Sequence, residues 1–365
     1  MTTRAAMPRS AWIFPLLSVV LFAAVTATGF AFTLSAAGLV FAAVLLVILF
    51  GTVFAAVHHA EVIAHEIGEP YGTLLLTLAV TVIEVALIAT IMLGDTAAPA
   101  LARDTVFAVV MIVCNGLAGI CIFIGGLRYR EQDFQVPGAN LYLSVLFTMA
   151  TITLVLPNYT LTAPGPVYSA AQLGFVSIVT ILLYAVFLYT QTMRHRDYFV
   201  DPSAGLDDHG AKQSRAALGL SFGLLLLALL AVVLLAKKFS LVVDAAVAAI
   251  GAPPALAGVM VALLILLPES VAAIAAARAN DLQKSINLAL GSSLATIGLT
   301  IPAVAAAAYA LDKPLVLGLN LQGMVLLVLT FALSMLTFGT GRTNILFGLV
   351  HMVVFAVFLF MVFVP

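Results

Sequence analysis

Charge is what this chain has least of. Asp, Glu, Lys and Arg make up only 8% of its 365 residues, and the formal net charge is −1. Without a basic surplus there is no electrostatic footprint for nucleic acid, so no nucleic-acid partner is expected. Cysteine is nearly absent too, with two residues, Cys114 and Cys121. They lie seven apart on one apolar run, about 10 Å of helical rise. That is too far for a disulfide, so buried thiols are expected. Cysteine and the six histidines are too sparse and ill-spaced for zinc or haem. No GxxxxGK loop followed by Ser or Thr occurs, and no Gly-rich strand–helix unit, which disfavours ATP-driven pumping. No cofactor is implied.

Apolar residues, by contrast, make up 64% of the chain, against about 45–50% in a soluble domain. Runs of 18 or more apolar residues recur throughout, the mark of a polytopic helical membrane protein in contact with membrane lipid. The pattern predicts eleven spans, near 11–28, 30–57, 72–94, 105–127, 139–157, 171–192, 216–236, 255–279, 285–311, 315–338 and 343–364. The first, behind Arg4 and Arg9, is longer than a secretory h-region and reads as a retained span.

Loop charge orients the chain. With a cytoplasmic N-terminus, Arg4, Arg9, Arg128, Arg130, Arg194, Arg196, Lys212, Arg215, Arg278, Lys284 and Arg342 lie inside. Arg103, Lys237, Lys238 and Lys313 lie outside. Eleven of the 15 basic residues are then cytoplasmic, a clear positive-inside signal.

The longest polar stretch, 194–215, divides the chain. The expected organisation is an extra N-terminal helix (1–29), a first five-helix repeat (30–193), a cytoplasmic linker (194–215) and a second repeat (216–365). An odd number of spans per repeat inverts the second copy. Inverted repeats build many secondary transporters, with the substrate site near the bilayer midplane. The expected fold is therefore all-α, with about eleven transmembrane helices: one extra helix plus two inverted repeats.

Two acids stand out. Glu84 and Glu269 sit inside apolar segments, each in the second span of its repeat, whereas every other carboxylate is expected in or near a loop. A charge at membrane depth costs roughly 2.5–3.5 kcal/mol on insertion scales, so such a residue is a functional candidate. Thr77 and Thr81 precede Glu84 by seven and three residues and share its helical face. Their hydroxyls serve either a dehydrating cation or their own helix backbone. Pro268, directly before Glu269, removes a backbone donor and frees a carbonyl, a hard oxygen ligand suited to Ca2+ or Na+. The following span carries Ser292, Ser293, Thr296 and Thr300, which are cation ligands or helix-packing glue.

These segments carry a resemblance. GEPYGTLLLTLAVTVIE at 68–84 resembles the first signature of the calcium/cation antiporter (sodium/calcium exchanger) superfamily, in its bacterial calcium/proton antiporter branch. A Pro and an acid in one helix, with GSS beginning 22 residues after Glu269, resemble the second. Where many members carry Gly-Asn before each acid, this chain has Val80-Thr81 and Leu266-Leu267. The resemblance implies that Glu84 and Glu269 bind the transported cation and carry protons in exchange. It also points to Asn115 as a further cation ligand and to Glu69, within GEPYG, as a residue of the access route. The physics agrees. A buried carboxylate is protonated when empty and ionised when a cation replaces its proton.

Weaker signals surround this core. His58, His59, Glu61, His65, Glu66 and Glu69 read as a solvated interfacial helix or as a cation-recruiting, pH-sensing cluster. Asp201, Asp207, Asp208 and His209 read as a solvated linker, and His351 as a packed, hydrogen-bonded residue rather than a relay. The leading expectation is a Ca2+/H+ antiporter of the inner membrane. Its rival is a Na+/H+ or K+/H+ antiporter on the same fold. More remote are an intramembrane hydrolase, which lacks a second nucleophile here, and a channel.

Overall fold

The computed structural model describes residues 7–92, 99–199 and 215–365. Among them are eleven helices long and apolar enough to cross a membrane. They run Arg9–Thr28, Ala36–Ile67, Tyr71–Met92, Leu101–Tyr129, Val136–Tyr159, Ala170–Arg194, Arg215–Ala249, Ala255–Arg278, Leu282–Ala310, Leu321–Phe338 and Ile345–Phe363. They are called the first to eleventh spans below. In a bilayer every backbone group must find its partner within the protein, and a continuous helix satisfies that within one segment. The eleven-span, all-α expectation holds.

Four boundaries differ from the sequence expectation by six residues or more, each for a local reason. The second span starts later because Ser35 caps it, its hydroxyl accepting from Gly38 N at 3.2 Å. It ends later because His58–Ile67 continues the helix, so Glu61 and Glu66 lie in a helix rather than a loop. The seventh span runs on through Lys237 and Lys238 to Ala249, which places Asp244 inside it, where Ser240 donates to the carboxylate at 3.4 Å. Asp104 likewise lies in the first turn of the fourth span. The expectation that every acid other than Glu84 and Glu269 lies in or near a loop therefore fails at Glu61 and Asp244, while Glu66 and Asp104 lie in terminal turns beside loops. The tenth span starts at Leu321 because Asn320 caps it, accepting from Gly323 N at 2.8 Å. The Asp201–His209 linker lies outside the described residues.

The helices group into two compact units, each drawing spans from both sides of the linker. The first holds spans one, two, three and seven. Here the second and seventh spans, the longest at 32 and 35 residues, pack on each other, and the third packs on both. Polar stitches tie the first span to the second: Ser18 Oγ to Thr52 Oγ1 at 2.6 Å and His59 Nε2 to the Ala11 carbonyl at 3.0 Å. Such bonds in lipid are worth about 0.6–2 kcal/mol each.

The second unit holds the other seven spans. At its centre lie the fourth and ninth, each 29 residues long and the most enclosed of the eleven. Both pass through a π-helical segment, Ile112–Leu117 in the fourth and Thr296–Thr300 in the ninth. Each is the third span of its half once the first span is set aside. A two-stranded antiparallel ladder, β1 (Glu131–Asp133) with β2 (Arg342–Asn344), ties the end of the fourth span to the start of the eleventh. Arg342 reinforces it with an exposed ion pair to Asp133 at 3.0 Å. Cys114 and Cys121 are buried free thiols, as expected.

The fourth and eleventh spans cross closely at glycine. A Cβ on Gly348 would lie 2.6 Å from Phe123 N and 2.8 Å from the Gly119 carbonyl. Backbone cannot yield as a side chain can, so Gly348→Ala is expected to cost about 1–3 kcal/mol. It should melt at lower temperature in detergent. Gly174, whose Cβ would meet nothing within 4 Å, is the control. Gly174→Ala should melt no lower than the wild type, and an unchanged Gly348→Ala would refute the close crossing.

Candidate functional site

In the first unit the third span presents Glu84 to the interior. Only 1% of the residue is exposed, and Thr81 on the same face is 6% exposed. The Thr81 hydroxyl donates to the Thr77 carbonyl at 2.9 Å. It therefore satisfies its own helix in this conformation, and its oxygen keeps lone pairs with which to accept. Thr77, one turn further on, is half-buried. The GEPYG turn has a local role. Gly68 adopts φ 77°, a conformation that disfavours a side chain. Glu69 then accepts from Thr73 Oγ1 at 2.6 Å across the first turn of the third span. Glu69 and His65 are exposed and Glu66 half-buried, all at the junction of the second and third spans.

In the second unit, Glu269 is half-buried on the eighth span beside buried Pro268. The helix continues unbroken through the proline. Since Pro268 has no N–H, the Leu264 carbonyl four residues back lacks its usual helical donor. The eighth span packs on the ninth and on the π segment of the fourth, and the ninth also contacts that segment. Glu269, Asn115 and the Ser292–Thr300 hydroxyls thus ride on three mutually packed elements. Ser285 pins two of them together, its hydroxyl donating to the Ala273 carbonyl at 2.7 Å.

Of the ninth-span hydroxyls, Ser293, Thr296 and Thr300 are buried and Ser292 is half-buried. Ser293 Oγ is fully enclosed and makes no hydrogen bond among the described residues. Thr296 and Thr300 open and close the π segment. A π turn shifts the helical hydrogen-bond register locally and recurs at functional sites. Among the described residues no three His, Cys, Asp or Glu side chains converge as a metal cluster. The three packed elements instead carry one carboxylate together with hydroxyl, amide and carbonyl oxygens, the hard ligands that suit Ca2+ and Na+.

Asn115 is completely buried. Its Nδ2 donates to Thr330 Oγ1 at 2.9 Å, and its Oδ1 lies 3.1 Å from His351 Nδ1. His351 Nε2 lies 3.0 Å from Thr337 Oγ1. His351 is thus packed and hydrogen-bonded, as the sequence pattern leads one to expect. Sequence reasoning missed Thr330, Ser334 and Thr337, although their spacing of four and three on an apolar span was a legible polar stripe. It also missed the π segments of the fourth and ninth spans, whose nearest sequence cues are Gly116 and Gly298, and those at Thr151–Val155 and Thr190–Arg194 in the fifth and sixth.

Ser285→Ala removes a buried hydrogen bond and leaves the Ala273 carbonyl short of a donor. A loss of roughly 1–2 kcal/mol is expected. It would be read as a lower melting temperature in detergent; wild-type melting would show that Ser285 does not hold the eighth and ninth spans together.

Known proteins share this architecture. Residues 35–193 and 220–364 match the family described as sodium/calcium exchanger protein. The chain is 46% identical over 363 residues to the putative ionic transporter y4hA of Sinorhizobium fredii, covering 98% of this chain and 97% of the relative. It is 37% identical over 319 residues to the sodium-potassium/proton antiporter ChaA of Escherichia coli, covering 86% of each. Among solved structures, the selenium-substituted Ca2+/H+ antiporter protein YfkE matches with a TM-score of 0.71 at 18% identity, over 98% of this chain and 100% of that one. That last likeness is one of fold.

Proposed function

The chain belongs to the sodium/calcium exchanger protein family, and from that premise we propose that it is a proton-coupled cation antiporter in which Glu84 and Glu269 carry the exchange. The observation that carries this reading is the burial of Glu84, 1% exposed in the middle of an apolar span. Glu269 holds the equivalent ordinal position in the second half. A carboxylate withdrawn from water is stable only when its charge is cancelled. A proton cancels it, and so does a bound cation. Both acids therefore serve one cycle, loaded with cation in one direction and with protons in the other, with access alternating between the two sides. Thr77, Thr81, Ser292, Ser293 and Asn115 supply neutral oxygens. Glu69, Glu66 and His65 lie on the cytoplasmic access route. The chain sits in the inner membrane with its N-terminus in the cytoplasm, and its partners are lipid and inorganic cations.

Two ionised carboxylates match the charge of one Ca2+, or of two protons on the return, so by charge count Ca2+ is the cargo that fits best. Na+ or K+ is a second reading, and a specific observation favours it: the 37% identical Escherichia coli relative is described as a sodium-potassium/proton antiporter. One carboxylate per monovalent ion balances charge equally well. The intramembrane hydrolase and the channel draw no support from relatives described as a transporter and an antiporter.

The test is exchange in everted vesicles under an imposed proton gradient. Ca2+, Na+ and K+ are added in turn, and collapse of the gradient is followed. Wild-type protein should respond to at least one of them. Glu84→Gln and Glu269→Gln should each abolish the response while keeping wild-type helicity and melting. Normal exchange by either variant would remove that glutamate from the mechanism. A response to Na+ or K+ alone would exclude Ca2+ as cargo.

A further inference from the structure

The fourth, tenth and eleventh spans share a chain of polar side chains at membrane depth. Asn115, Thr330, Thr337 and His351 are all fully buried. The hydrogen bonds fix the direction of the chain. A threonine hydroxyl has one proton to give. That of Thr330 goes to the Leu326 carbonyl at 2.7 Å, a better acceptor than the Met111 sulfur at 3.3 Å. Thr330 can then only accept from Asn115, so the Nδ2 end of the carboxamide faces Thr330 at 2.9 Å. The Oδ1 end therefore faces His351, and Nδ1 must carry the imidazole proton at 3.1 Å. In a neutral ring Nε2 is then the acceptor, and the Thr337 hydroxyl donates to it at 3.0 Å. Every bond points the same way, from Thr337 to the Leu326 carbonyl.

An intramembrane histidine in a proton-coupled protein invites reading as a relay. The hydrogen-bond directions argue against that. Hydroxyl and imidazole can pass a proton on, but the Asn115 carboxamide stands between them. To conduct, it would have to surrender an amide proton, and it has no titratable group. We infer instead that His351 is a positioning residue: locked by Thr337 as the Nδ1–H tautomer, it fixes the Asn115 carboxamide in one orientation and so sets cation affinity. The imidazole occupies one lone pair of Oδ1, and the second remains for a ligand. The oxygen lies in the π segment that packs against the Glu269-bearing span. The glycine crossing makes the contact reachable, since Gly119 and Gly348 bring the two helices close enough for His351 to meet Asn115.

This inference rests on the transport reading above, through the role of Asn115 as a cation ligand. The experiment compares His351→Ala, His351→Asn, His351→Gln and Thr330→Val in the full-length protein, in everted vesicles. Half-saturating cation concentration and maximal rate are measured separately, with whichever of Ca2+, Na+ or K+ the wild type exchanges. An Asn at 351 places an amide N–H where imidazole Nδ1 stood; a Gln places one nearer Nε2. His351→Ala and His351→Gln should raise the half-saturating concentration roughly five- to tenfold, with maximal rate within about twofold, as loss of one buried hydrogen bond implies. His351→Asn should restore the wild-type value to within about twofold. Thr330→Val, which keeps side-chain shape, should shift half-saturation in the same direction as His351→Ala and stands in if that variant does not fold. A 15N spectrum of histidine-labelled wild-type protein should show His351, assigned by its loss in His351→Asn, as the neutral Nδ1–H tautomer. Equal impairment of His351→Asn and His351→Ala, wild-type half-saturation in His351→Ala and Thr330→Val, or an Nε2–H ring would each overturn the inference. A wild-type protein that exchanges no cation would sink the transport reading instead, and the tautomer would still test the geometry.

Discussion

A carboxylate removed from water has to have its charge cancelled, and the proposed function follows from that constraint. At the bilayer midplane neither solvent nor a mobile counter-ion is at hand. On the proposed function, Glu84 and Glu269 then exist either as neutral acids or as ligands of a cation. Because one occupant excludes the other, binding of one is coupled to release of the other without any further device. Coupling on this view is a property of the site's dielectric rather than of a distant switch. The hydroxyl and amide side chains at membrane depth then act in support. They replace the water a cation loses, without adding charge.

On that reading, the second unit supplies such oxygens from an all-helical scaffold. Inside a regular α-helix every carbonyl already accepts an intrahelical hydrogen bond, which leaves it a poor cation ligand. The fourth and ninth spans relieve this at corresponding places, each with a π segment. Pro268 relieves it in the eighth by deleting one donor. The loss of backbone regularity is offset by enclosure, since the fourth and ninth are the most enclosed of the eleven spans among the described residues. The Asn115 carboxamide, held by Thr330 at Nδ2 and by His351 at Oδ1, would add another neutral oxygen.

Much of this was legible in the sequence, for a physical reason. Lipid forces long apolar runs, so span number and the two acids within them are written in composition alone. Glu84 and Glu269 stand out because nothing around them is charged. Helix ends were less legible. His58–Glu66 and Lys237–Asp244 are polar letters on continuing helices, where long side chains reach the interface while the backbone stays helical. The β1–β2 ladder was illegible, since three-residue strands carry no periodicity and their pairing joins distant parts of the chain, such as Glu131 and Asn344. The π segments were illegible for a different reason. They are shifts of hydrogen-bond register set by neighbouring helices rather than by local composition. The Asn115–His351 contact, spanning 236 residues, depends on a glycine crossing that no local pattern announces.

The central claim is that cation and proton compete for the same carboxylates. Its most direct test is the number of protons released per cation bound by the purified protein in a weakly buffered detergent solution. Competitive occupancy requires release of about one to two protons for each Ca2+ bound, or about one for each Na+ or K+, since every carboxylate a cation engages must first lose its proton. Stoichiometric cation binding with no proton release would contradict it.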